Sequence, residues 1–513
     1  MGEDVLKMFT GIVQYVTTID WIDDFTIKLE LEKDFFRGDS ISVNGVCLTV
    51  DRFEMNYAYF KLSDKTISIT NLKNKKKYCN VEHALKYGES LSGHIVSGHV
   101  NVTGVIKCIE GENITIGFQL QYYPFIKHKG SITVDGISLT VAELYSDCFK
   151  VAIIPYTWNH TTLVHSKVGD VVNIEFDHYS KDWTHDDYMK FALDISEKSK
   201  GYTLPNPWVG CVIVNQLGYI IGYGSHEEYG GNHAEINAIN QIKPEEINEA
   251  HSIYITLEPC SHIGKTGPCV DSIIALKPSR VIIGITDPNP ITSGVGIKKL
   301  KESKIEVIEE VLSTEIKKSL EPYIYYNQNQ RPYITGKIAM SFNNIYAKES
   351  ERLLISNDEC LVDCHKLRSE CSAILVGTKT WINDTPSLCV RYGFKQNPRY
   401  KRIIIDNELE HIINEDSFTI FVTFKLKGES NNQIWYCENI DDFLKKLYEN
   451  SIVHLLIEGG NVTLNRFSPY LNQFIYYVSN DFVDSGIRFK LNRNVSFNSS
   501  EIINGMMKIS CKF

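Results

Sequence analysis

An internal repeat occupies the first third of the sequence and limits what that part of the chain can fold into. The segment SVNGVCLTV at 42–50 recurs 91 residues later as TVDGISLTV at 133–141, and TISITNL at 66–72 recurs at the same offset as TWNHTTL. TGIV at 10–13 and TGVI at 103–106 pair at an offset of 93, which implies one short insertion. Such self-similarity predicts two copies of one domain of about 90 residues.

Each copy is a series of short apolar–polar alternating runs separated by Gly, Asn and Asp, a pattern typical of β-strands and turns. Closing such strands into a small barrel removes their exposed edges. Asn44-Gly45 and Asp135-Gly136 indicate tight turns with positive φ, and that structural role alone would explain them. We predict two tandem all-β barrels, over residues 1–95 and 96–180.

Four motifs in order give the repeat a family resemblance: MFTGIV at 8–13, NGVCLTV at 44–50, SGHIVSGHV at 92–100 and DGISLTV at 135–141. Together they resemble riboflavin synthase over residues 8–178. The resemblance implies conversion of two molecules of 6,7-dimethyl-8-ribityllumazine into riboflavin and a diaminopyrimidine, with no metal or redox cofactor. One molecule would lie on each barrel.

The same resemblance assigns site residues to the double barrel. It gives catalytic roles to Cys47, His94 and His99, and it implies that substrate is bound by Phe9, Thr10, Thr66, Lys129, Asp135, Ser138, Thr140, Ile154 and Thr157. A histidine can supply the base that deprotonates an acidic methyl group near neutral pH. Ser138 is the counterpart of Cys47 in the second copy. A cysteine that simply packs in a strand is the alternative for Cys47.

The middle of the chain carries a metal-ligand pattern. His233-Ala234-Glu235 is followed by Pro259-Cys260 and Pro268-Cys269. One imidazole and two thiolates suit a tetrahedral Zn²⁺ with one position open for water, and zinc lowers the pKa of that water. Glu235 is then the group that carries the proton to the leaving ammonia. The alternative is a closed structural site with His262 as fourth ligand.

TLPNPWVG at 203–210, HAE at 233–235 and EPCSHIGKTGPC at 258–269 resemble the deaminase half of the bifunctional riboflavin-pathway deaminase/reductase, over residues 186–330. Eight residues separate the thiols, whereas nucleotide deaminases have two. The resemblance implies a substrate, 2,5-diamino-6-ribosylamino-4(3H)-pyrimidinone 5′-phosphate, whose pyrimidine would contact Asn206 and whose phosphate would lie near Lys265 and Thr266. We predict an α/β cytidine-deaminase-like zinc domain over 181–330.

Strands and helices alternate from residue 331 onward, which predicts an α/β sheet. LRS at 367–369, ILVG at 374–377, Thr380 and NDTPSL at 383–388 resemble the reductase half of the same enzyme, with a dihydrofolate-reductase-like fold over 331–513 and NADPH as cofactor. The implied substrate-binding residues are Arg368, Leu388, Arg391 and Glu458. The implied cofactor-binding residues are Ala339, Thr380, Asp384, Gly459 and Gly460, with Asp384 also catalytic.

This last third departs from the family's pattern at three places. Ser341-Phe342-Asn343-Asn344 stands where the family has Ser-Leu-Asp-Gly, and Glu351-Arg352-Leu353-Leu354-Ile355 lacks the family's Ser and Trp. Leu471-Asn472-Gln473 replaces Val-Asp-Glu. A degenerate reductase domain is therefore an alternative to an active one.

Composition bears on partners and compartment. The net charge of −10 over 513 residues disfavours a protein that neutralises nucleic-acid phosphates. No apolar run reaches the roughly 18–20 residues of a membrane span, and the N-terminus has no signal-peptide pattern. The odd count of 13 cysteines indicates reduced thiols in a cytoplasmic protein. We expect small-molecule substrates, no nucleic acid or membrane partner, and a homo-oligomer.

The sequence thus predicts a multidomain fusion of riboflavin synthase with the pathway deaminase/reductase. A trimer through the double barrel is one form of the oligomer. However, the family has a trimerisation helix after the last barrel strand, and here only residues 178–185 lie between that strand and the next helical pattern. Two rivals stay open. In one, the double barrel only carries lumazine or flavin; in the other, the zinc domain is a nucleic-acid deaminase with accessory domains.

Overall fold

A computed structural model describes residues 8–32, 35–86, 88–145, 147–177, 183–261, 267–290, 292–348, 353–412 and 417–513. The chain divides into two compact units, one formed by Met1–Thr184 with Val214–Ile221, the other by His185–Ile213 with Gly222–Phe513. Within the described residues, no helix has the length and apolar character needed to cross a membrane.

The first unit contains two closed six-stranded antiparallel barrels. The first has β1 (Tyr15–Trp21), β2 (Thr26–Glu30), β3 (Ser40–Val43), β4 (Val46–Glu54), β5 (Tyr57–Lys61), α1 (Asp64–Ile69) and β6 (Tyr78–His83). The second has β7 (Val102–Glu110), β8 (Asn113–Gly117), β9 (Ser131–Val134), β10 (Ile137–Leu144), β11 (Cys148–Ala152), α2 (Pro155–His160) and β12 (Val171–Phe176). Their strand orders are β1-β2-β5-β4-β3-β6 and β10-β11-β8-β7-β12-β9. Alternating Ile, Leu, Val and Phe side chains fill both interiors.

The two predicted tight turns are confirmed. Asn44 and Gly45 have φ of 48° and 78°, and Asp135 and Gly136 have φ of 46° and 79°. This double positive φ belongs to the hairpin turn whose twist matches the flanking strands. The turns also lie against each other, because a Cβ built on Gly45 would come within 2.7 Å of the Gly136 nitrogen.

Strand register corrects one of the predicted repeat pairings. Val16 lies opposite Asn80, and Thr103 lies opposite Asn173, so Val16 and Thr103 occupy equivalent places in the two barrels. The offset there is 87 residues, and TG at 10–11 is equivalent to SG at 97–98. The pairing of 10–13 with 103–106 was wrong, because a short T-G-apolar pattern does not fix a register that only cross-strand contacts define.

The second unit begins with a zinc-deaminase-like layer built on a five-stranded sheet of order β14-β13-β15-β16-β17. Its elements are α3 (His185–Glu197), β13 (Gly210–Val214), β14 (Ile220–Ser225), α4 (Ala234–Ile239), β15 (Ser252–Leu257), α5 (Cys269–Leu276), β16 (Arg280–Ile285), α6 (Val295–Glu302), β17 (Glu306–Ile308), α7 (Ser313–Ser319) and α8 (Glu321–Asn329). Strands β15, β16 and β17 are parallel.

The remainder of the second unit is a nine-stranded sheet flanked by helices. Its elements are β18 (Tyr333–Met340), β19 (Ile345–Ala347), α9 (Asp358–Ser369), β20 (Ala373–Gly377), α10 (Thr378–Asp384), β21 (Lys401–Ile405), β22 (Thr419–Thr423), β23 (Ile434–Tyr436), α11 (Ile440–Glu449), β24 (His454–Glu458), α12 (Asn461–Phe467), β25 (Gln473–Val478), β26 (Ile487–Arg488), β27 (Ser496–Ile503) and β28 (Met506–Lys512). The order is β23-β22-β21-β20-β24-β18-β25-β28-β27, with β19 and β26 pairing separately.

The directions of the strands indicate which edge of this sheet can bind a ligand. Strand β24 is parallel to both of its neighbours, β18 and β20, while β28 runs antiparallel to β25. The carboxyl ends of β18, β20 and β24 therefore meet at one edge, where ligands of open α/β sheets bind.

Candidate functional sites

Three potential metal ligands come together in the deaminase-like layer. His233 directly precedes α4, Cys260 follows β15, and Cys269 is the first residue of α5. The His233 Nδ1 lies 3.5 Å from the Cys260 Sγ and 3.4 Å from the Cys269 Sγ. Zn–S bonds of about 2.3 Å and Zn–N bonds of about 2.1 Å at tetrahedral angles require ligand separations of about 3.5–3.8 Å. The donor set therefore fits Zn²⁺ in both chemistry and spacing.

The fourth position of this site has no protein ligand among the residues that the structure describes. His262, the alternative fourth ligand, and Lys265 and Thr266 lie outside those residues.

The pKa values of the two thiols are shifted in opposite directions. A hydrogen bond with the Cys269 thiol lowers the pKa of Cys260 to about 4 against the effect of burial, and the His233 ring lowers it further. The Cys269 backbone N–H also donates to the Cys260 sulfur, at 3.4 Å. The pKa of Cys269 is raised because its proton is shared with Cys260. Cys260 is thus ready as a thiolate, the form that binds metal.

Glu235 lies in the first turn of α4 and is only 3% exposed. Burial raises the pKa of its carboxyl to about 7. The side chain lines a cavity of about 350 Å³ together with two of the metal ligands, His233 and Cys260. Other cavity residues are Asn206, Pro207, Val209, His226, Tyr229, Asp287, Asn289, Thr292 and Tyr323. A buried carboxyl with a pKa near 7 can both accept and release a proton at neutral pH.

Asn206 lies in the wall of the same cavity, and its Nδ2 is 3.2 Å from the Nε2 of His226. His226 is fixed in turn by its Nδ1, 2.9 Å from the Asn232 carbonyl. Sequence reasoning missed His226, because a single histidine at the end of a strand carries no motif. Glu258, next to the first Pro-Cys pair, accepts four backbone N–H bonds from Asp287, Gly294, Gly296 and Ile297, so its carboxylate secures the start of α6.

A buried ion pair marks the carboxyl edge of the nine-stranded sheet. Glu458, the last residue of β24, accepts two hydrogen bonds from the Arg368 guanidinium, at 2.7 and 2.9 Å. The Lys337 Nζ lies 4.0 Å from the same carboxylate. Burial opposes ionisation, but Arg368 and then Lys337 lower the pKa of Glu458 to about 2. Lys337 was missed as well, although a lysine within an apolar strand is a usable signal.

The other predicted residues of this domain lie around the same edge. Arg391 is exposed and its backbone N–H donates to the His365 Nδ1 at 3.1 Å, while Leu388 is buried with φ of 52°. Ala339 is in β18 and Thr380 is in α10. Asp384 is exposed at the last residue of α10.

The surroundings of Gly459 and Gly460, which follow β24, bear on whether NADPH can bind at this edge. A Cβ on Gly459 would have the Thr463 side chain as its nearest neighbour, at 3.4 Å, whereas one on Gly460 would come within 2.6 Å of the Tyr346 hydroxyl. A Cβ on Gly377, at the end of β20, would come within 2.4 Å of the Thr463 hydroxyl. Gly377 and Gly460 are thus explained by packing against the Thr463 and Tyr346 side chains, whereas Gly459 has more room. What favours a cofactor here is the position, because the carboxyl ends of the adjacent parallel strands β20 and β24 lie where ligands of open α/β sheets bind.

The departure at Asn343-Asn344 preserves the turn. Asn344 adopts φ of 64°, a conformation that asparagine tolerates better than most residues with a side chain. Asn343 accepts a hydrogen bond from the Ser341 hydroxyl at 2.7 Å and donates to the Val483 carbonyl at 2.8 Å. Gln473 donates to the Ser510 hydroxyl at 2.9 Å. Glu351 and Arg352 lie outside the described residues.

In the double barrel, two equivalent glutamates hold two equivalent segments. Glu82 accepts hydrogen bonds from the Thr10 backbone N–H at 2.6 Å, the Thr10 hydroxyl at 2.8 Å and the Gly11 N–H at 3.0 Å. Glu175 accepts the matching bonds from Ser97 and Gly98, at 2.7, 2.7 and 3.0 Å. We call these two sets of hydrogen bonds, Glu82 with residues 10–11 and Glu175 with residues 97–98, the clasps. The sequence repeat does not predict the clasps, because each joins residues about 70–80 positions apart.

Each segment held by a clasp contacts a predicted site residue of the other barrel, Ser138 or Cys47. The Gly11 carbonyl accepts a hydrogen bond from the Ser138 N–H in the second barrel, and the Gly98 carbonyl accepts one from the Cys47 N–H in the first, both at 2.7 Å. A Cβ on Gly11 or on Gly98 would come within 2.6 or 2.7 Å of the Ser138 or Cys47 Cβ, respectively. The first segment therefore belongs to the Ser138 site, and the second segment belongs to the Cys47 site.

The two histidines predicted to be catalytic, His94 and His99, lie at different sites. His94 Nδ1 lies 2.7 Å from the Ser138 hydroxyl and its Nε2 lies 3.1 Å from the Thr133 hydroxyl. Burial lowers the pKa of His94. His99 is exposed and follows Gly98, beside Cys47. The structure thus places His94 with Ser138, not with Cys47 as the grouping in the sequence suggests.

Most other residues predicted in the double barrel occupy outer positions. Ser138 and Thr140 alternate with buried Leu139 along β10, and the backbone of exposed Lys129 donates to the carbonyl of Val141, the residue after Thr140. Ile154, which precedes α2, is 63% exposed. Thr157 in α2 and Thr66 in α1 are half-buried, whereas Phe9 is fully buried and pairs with Val96.

Asp135 departs from its predicted role as a substrate ligand. Its carboxylate accepts hydrogen bonds from the Asn71 side chain at 2.8 Å and the Asn173 N–H at 2.7 Å, and it lies 3.7 Å from the Lys76 Nζ. These contacts join the two barrels and leave Asp135 only 3% exposed. Burial raises the pKa of Asp135 to about 6, although Lys76 lowers it in part. Its contacts are therefore those of an interface residue.

Family models match three parts of the chain. The lumazine binding domain matches residues 10–84 and 97–177, one match for each barrel. The zinc-binding region of cytidine and deoxycytidylate deaminases matches residues 183–285, and the RibD C-terminal domain matches residues 332–469. The riboflavin biosynthesis protein RibD of Aquifex aeolicus is 38% identical over 317 residues, which cover 58% of this chain and 88% of the relative.

The chain belongs to the RibD family.

A second RibD, from Bacillus amyloliquefaciens, is 36% identical over 295 residues, covering 53% of this chain and 78% of the relative. Among solved structures, the diaminohydroxyphosphoribosylaminopyrimidine deaminase/5-amino-6-(5-phosphoribosylamino)uracil reductase of Thermotoga maritima has a TM-score of 0.58 at 30% identity. That match covers 64% of this chain and 98% of the other. The RibD part is therefore matched nearly in full, and the lumazine-binding double barrel is an addition to it.

Proposed function

We propose that this RibD-family chain combines three activities of riboflavin biosynthesis. The deaminase domain hydrolyses the amino group of 2,5-diamino-6-ribosylamino-4(3H)-pyrimidinone 5′-phosphate, and the last domain reduces the ribose of the product with NADPH. The double barrel converts two molecules of 6,7-dimethyl-8-ribityllumazine into riboflavin and a diaminopyrimidine. The observation that carries the proposal is the cluster of His233, Cys260 and Cys269 beside a cavity that is lined by His233, Cys260 and Glu235.

In the deaminase cavity, the zinc held by His233, Cys260 and Cys269 supplies a hydroxide at neutral pH when bound. Glu235 accepts the proton released as water is activated and delivers it to the departing amino group, which its pKa near 7 permits. The Asn206 amide, held by His226, presents a donor and an acceptor to the pyrimidine edge.

At the reductase edge, NADPH supplies a hydride when bound. Arg368 keeps Glu458 ionised, and Lys337, opposite Glu458 on β18, adds a second positive charge beside the buried pair. Arg391 is exposed and suits the substrate phosphate. Thr380 and Asp384 lie on α10, which follows Gly377 at the carboxyl end of β20, the edge proposed for the cofactor.

For the double barrel, the proposal rests on His94 and on the paired sites. His94 stays neutral near pH 7 because burial lowers its pKa, so it can act as a base beside Ser138. The equivalent position of the other site presents the Cys47 thiol and exposed His99. Two similar sites with different side chains suit a reaction in which one lumazine donates and the other accepts a four-carbon unit.

One incubation tests the two RibD activities together. Full-length zinc-loaded protein is given the diaminopyrimidinone ribosylamine phosphate and NADPH, and products are identified by mass spectrometry. A deaminated and reduced product supports both RibD activities, and a product that is only deaminated contradicts the reductase assignment. Unchanged substrate contradicts the deaminase assignment.

A separate incubation with lumazine tests the double barrel. Riboflavin formed in steady state supports the synthase activity, whereas lumazine that binds and is not consumed favours the carrier function. Cytidine and oligonucleotides should remain unchanged, which separates the proposal from a nucleic-acid deaminase. We also propose a homo-oligomer with small-molecule substrates, and its mass in solution tests whether it is a trimer.

A further inference from the structure

One loop of the reductase-like domain reaches the deaminase cavity. The loop between α10 and β21 carries Leu388 and Arg391, assigned above to the reductase side, and then Asn397 and Arg399. Asn397 is only 2% exposed. Its side-chain NH₂ group donates to carbonyls of the deaminase-like layer, so a residue of the reductase-like domain supports the structure of that layer.

Asn397 closes a turn in the deaminase-like layer. Its Nδ2 lies 2.8 Å from the Gly201 carbonyl, 3.0 Å from the Leu204 carbonyl and 3.2 Å from the Tyr202 carbonyl. Its Oδ1 accepts a hydrogen bond from the Arg399 N–H at 2.7 Å, which fixes the orientation of the amide. The amide therefore ties together both ends of the four-residue stretch 201–204.

The tied stretch leads directly to Asn206. The Asn206 N–H donates to the Thr203 carbonyl at 3.0 Å, and the Thr203 hydroxyl donates to the Asn206 carbonyl at 3.0 Å. Thr203 is fully buried. Because Asn206 is bonded at its backbone to Thr203 and at its side chain to His226, its place in the cavity wall depends on where the turn is held.

Other contacts hold the same stretch against the reductase-like domain. A Cβ on Gly201 would come within 2.1 Å of the Ser369 carbonyl at the end of α9, so only glycine permits this approach. Lys200 forms an ion pair with Glu370 at 3.2 Å. The Arg399 guanidinium, from the same loop as Asn397, lies 4.9 Å from the ring centre of Tyr229, another residue that lines the cavity.

We propose that Asn397 is a positioning residue of the deaminase: from the reductase-like domain it holds the turn at 201–204 that places Asn206 in the zinc cavity. This inference rests on the proposed deaminase function and extends it. It also gives the reductase-like domain a role in deamination that is independent of its own chemistry.

The test compares Asn397→Ala with Asn465→Ala in the full-length, zinc-loaded chain. Asn465 also bonds two backbone groups of its own domain, the Lys490 carbonyl and the Asn492 N–H, but lies in the second half of α12. Asn397→Ala should raise KM for the diaminopyrimidinone ribosylamine phosphate about tenfold and leave kcat within about threefold, because fewer molecules hold a binding-competent wall. Asn465→Ala should leave KM unchanged, and both variants should retain zinc.

Two further readouts separate positioning from general destabilisation. Hydrogen exchange of the peptide covering 199–206 should become faster in Asn397→Ala and not in Asn465→Ala. In an Asn206→Ala background, Asn397→Ala should add less than about twofold to KM, because the two residues act through one contact chain. Full multiplication of the two effects, or an unchanged KM in Asn397→Ala, would overturn the inference.

If Asn397→Ala fails to fold, Asn397→Ser is measured by the same criteria, since its hydroxyl can still bond one of the carbonyls. A native chain that does not deaminate the substrate would overturn the proposed function and this inference with it. A native chain that is active while both Asn397 variants match it in KM would overturn this inference alone.

Discussion

Glu235 shows how burial prepares a single side chain for chemistry. An exposed glutamate is ionised throughout the neutral range, whereas burial brings the pKa of this carboxyl to about 7. Glu235 is also only two residues from a predicted metal ligand, His233, and both line the same cavity. Protonation and position together support the proposed role of Glu235 as the proton carrier.

We therefore expect Glu235→Gln to lower the rate of deamination about 10²–10⁴-fold, the usual contribution of a positioned acid–base group. Zinc content should not change, because Glu235 is not one of the three ligands. Ammonia release and zinc per chain are measured together. Exposed Glu228 provides the matched control, and equal losses in Glu228→Gln and Glu235→Gln would contradict the assignment.

Asp135 is a buried carboxylate whose ionisation opposes folding. Its folded-state pKa of about 6 lies above the usual 3.8, so the folded chain holds its proton more tightly than the unfolded chain. Stability is therefore highest at low pH with respect to this group and falls as pH rises from about 4 to about 6. The total cost is at most about 3 kcal/mol.

Asp135→Asn should remove that dependence, and asparagine is the residue at the equivalent position 44 of the first barrel. The difference in unfolding free energy between variant and native chain should move in favour of the variant by about 1–3 kcal/mol between pH 4 and pH 7. Urea unfolding followed by hydrogen exchange of double-barrel peptides isolates the effect. A difference that is flat with pH would show that Asp135 titrates normally.

At the scale of elements, the clasps of Glu82 and Glu175 fix two segments that lie outside regular strands. In Glu82→Gln, an amide N–H₂ would replace one acceptor oxygen and leave a backbone N–H of Thr10 or Gly11 unpaired, a loss of about 1–3 kcal/mol. Because the Gly11 carbonyl contacts Ser138, the second site should lose its shape.

We expect Glu82→Gln and Glu175→Gln to lower lumazine turnover by similar factors of about tenfold, since either site is needed for a reaction of two molecules. Turnover is measured from riboflavin absorbance. Glu110→Gln, an exposed substitution at the end of β7, should have no effect. A large loss in only one of the two clasp variants would indicate that the sites are not used together.

The sequence predicted those features whose causes are local. The barrels followed from alternation and turn residues, and the zinc donors followed from the chemistry of His and Cys in short motifs. His226, Lys337 and the two clasp glutamates acquire their roles from partners far away in the chain, which no motif contains. Asp135 was assigned to substrate for the same reason, because its bonds to Asn71 and Asn173 are visible only once the barrels are paired.

At the scale of the whole molecule, the proposed activities of this one chain have different requirements. Removing zinc with a chelator should abolish ammonia release from the pyrimidine substrate and leave riboflavin formation within about twofold, because the metal ligands all lie in the deaminase-like layer. Both activities are measured on the same sample before and after zinc is restored. Loss of both on chelation would contradict separate sites.

The exchange of segments in the double barrel has a consequence for its ancestry. Gly11 of the first copy completes the wall of the second, and Gly98 of the second copy completes the wall of the first. Two identical chains that trade equivalent elements across a dyad form a swapped homodimer. Duplication and fusion of the gene for such a dimer produces the arrangement seen here, in which the site of each barrel is incomplete without a segment from the other barrel.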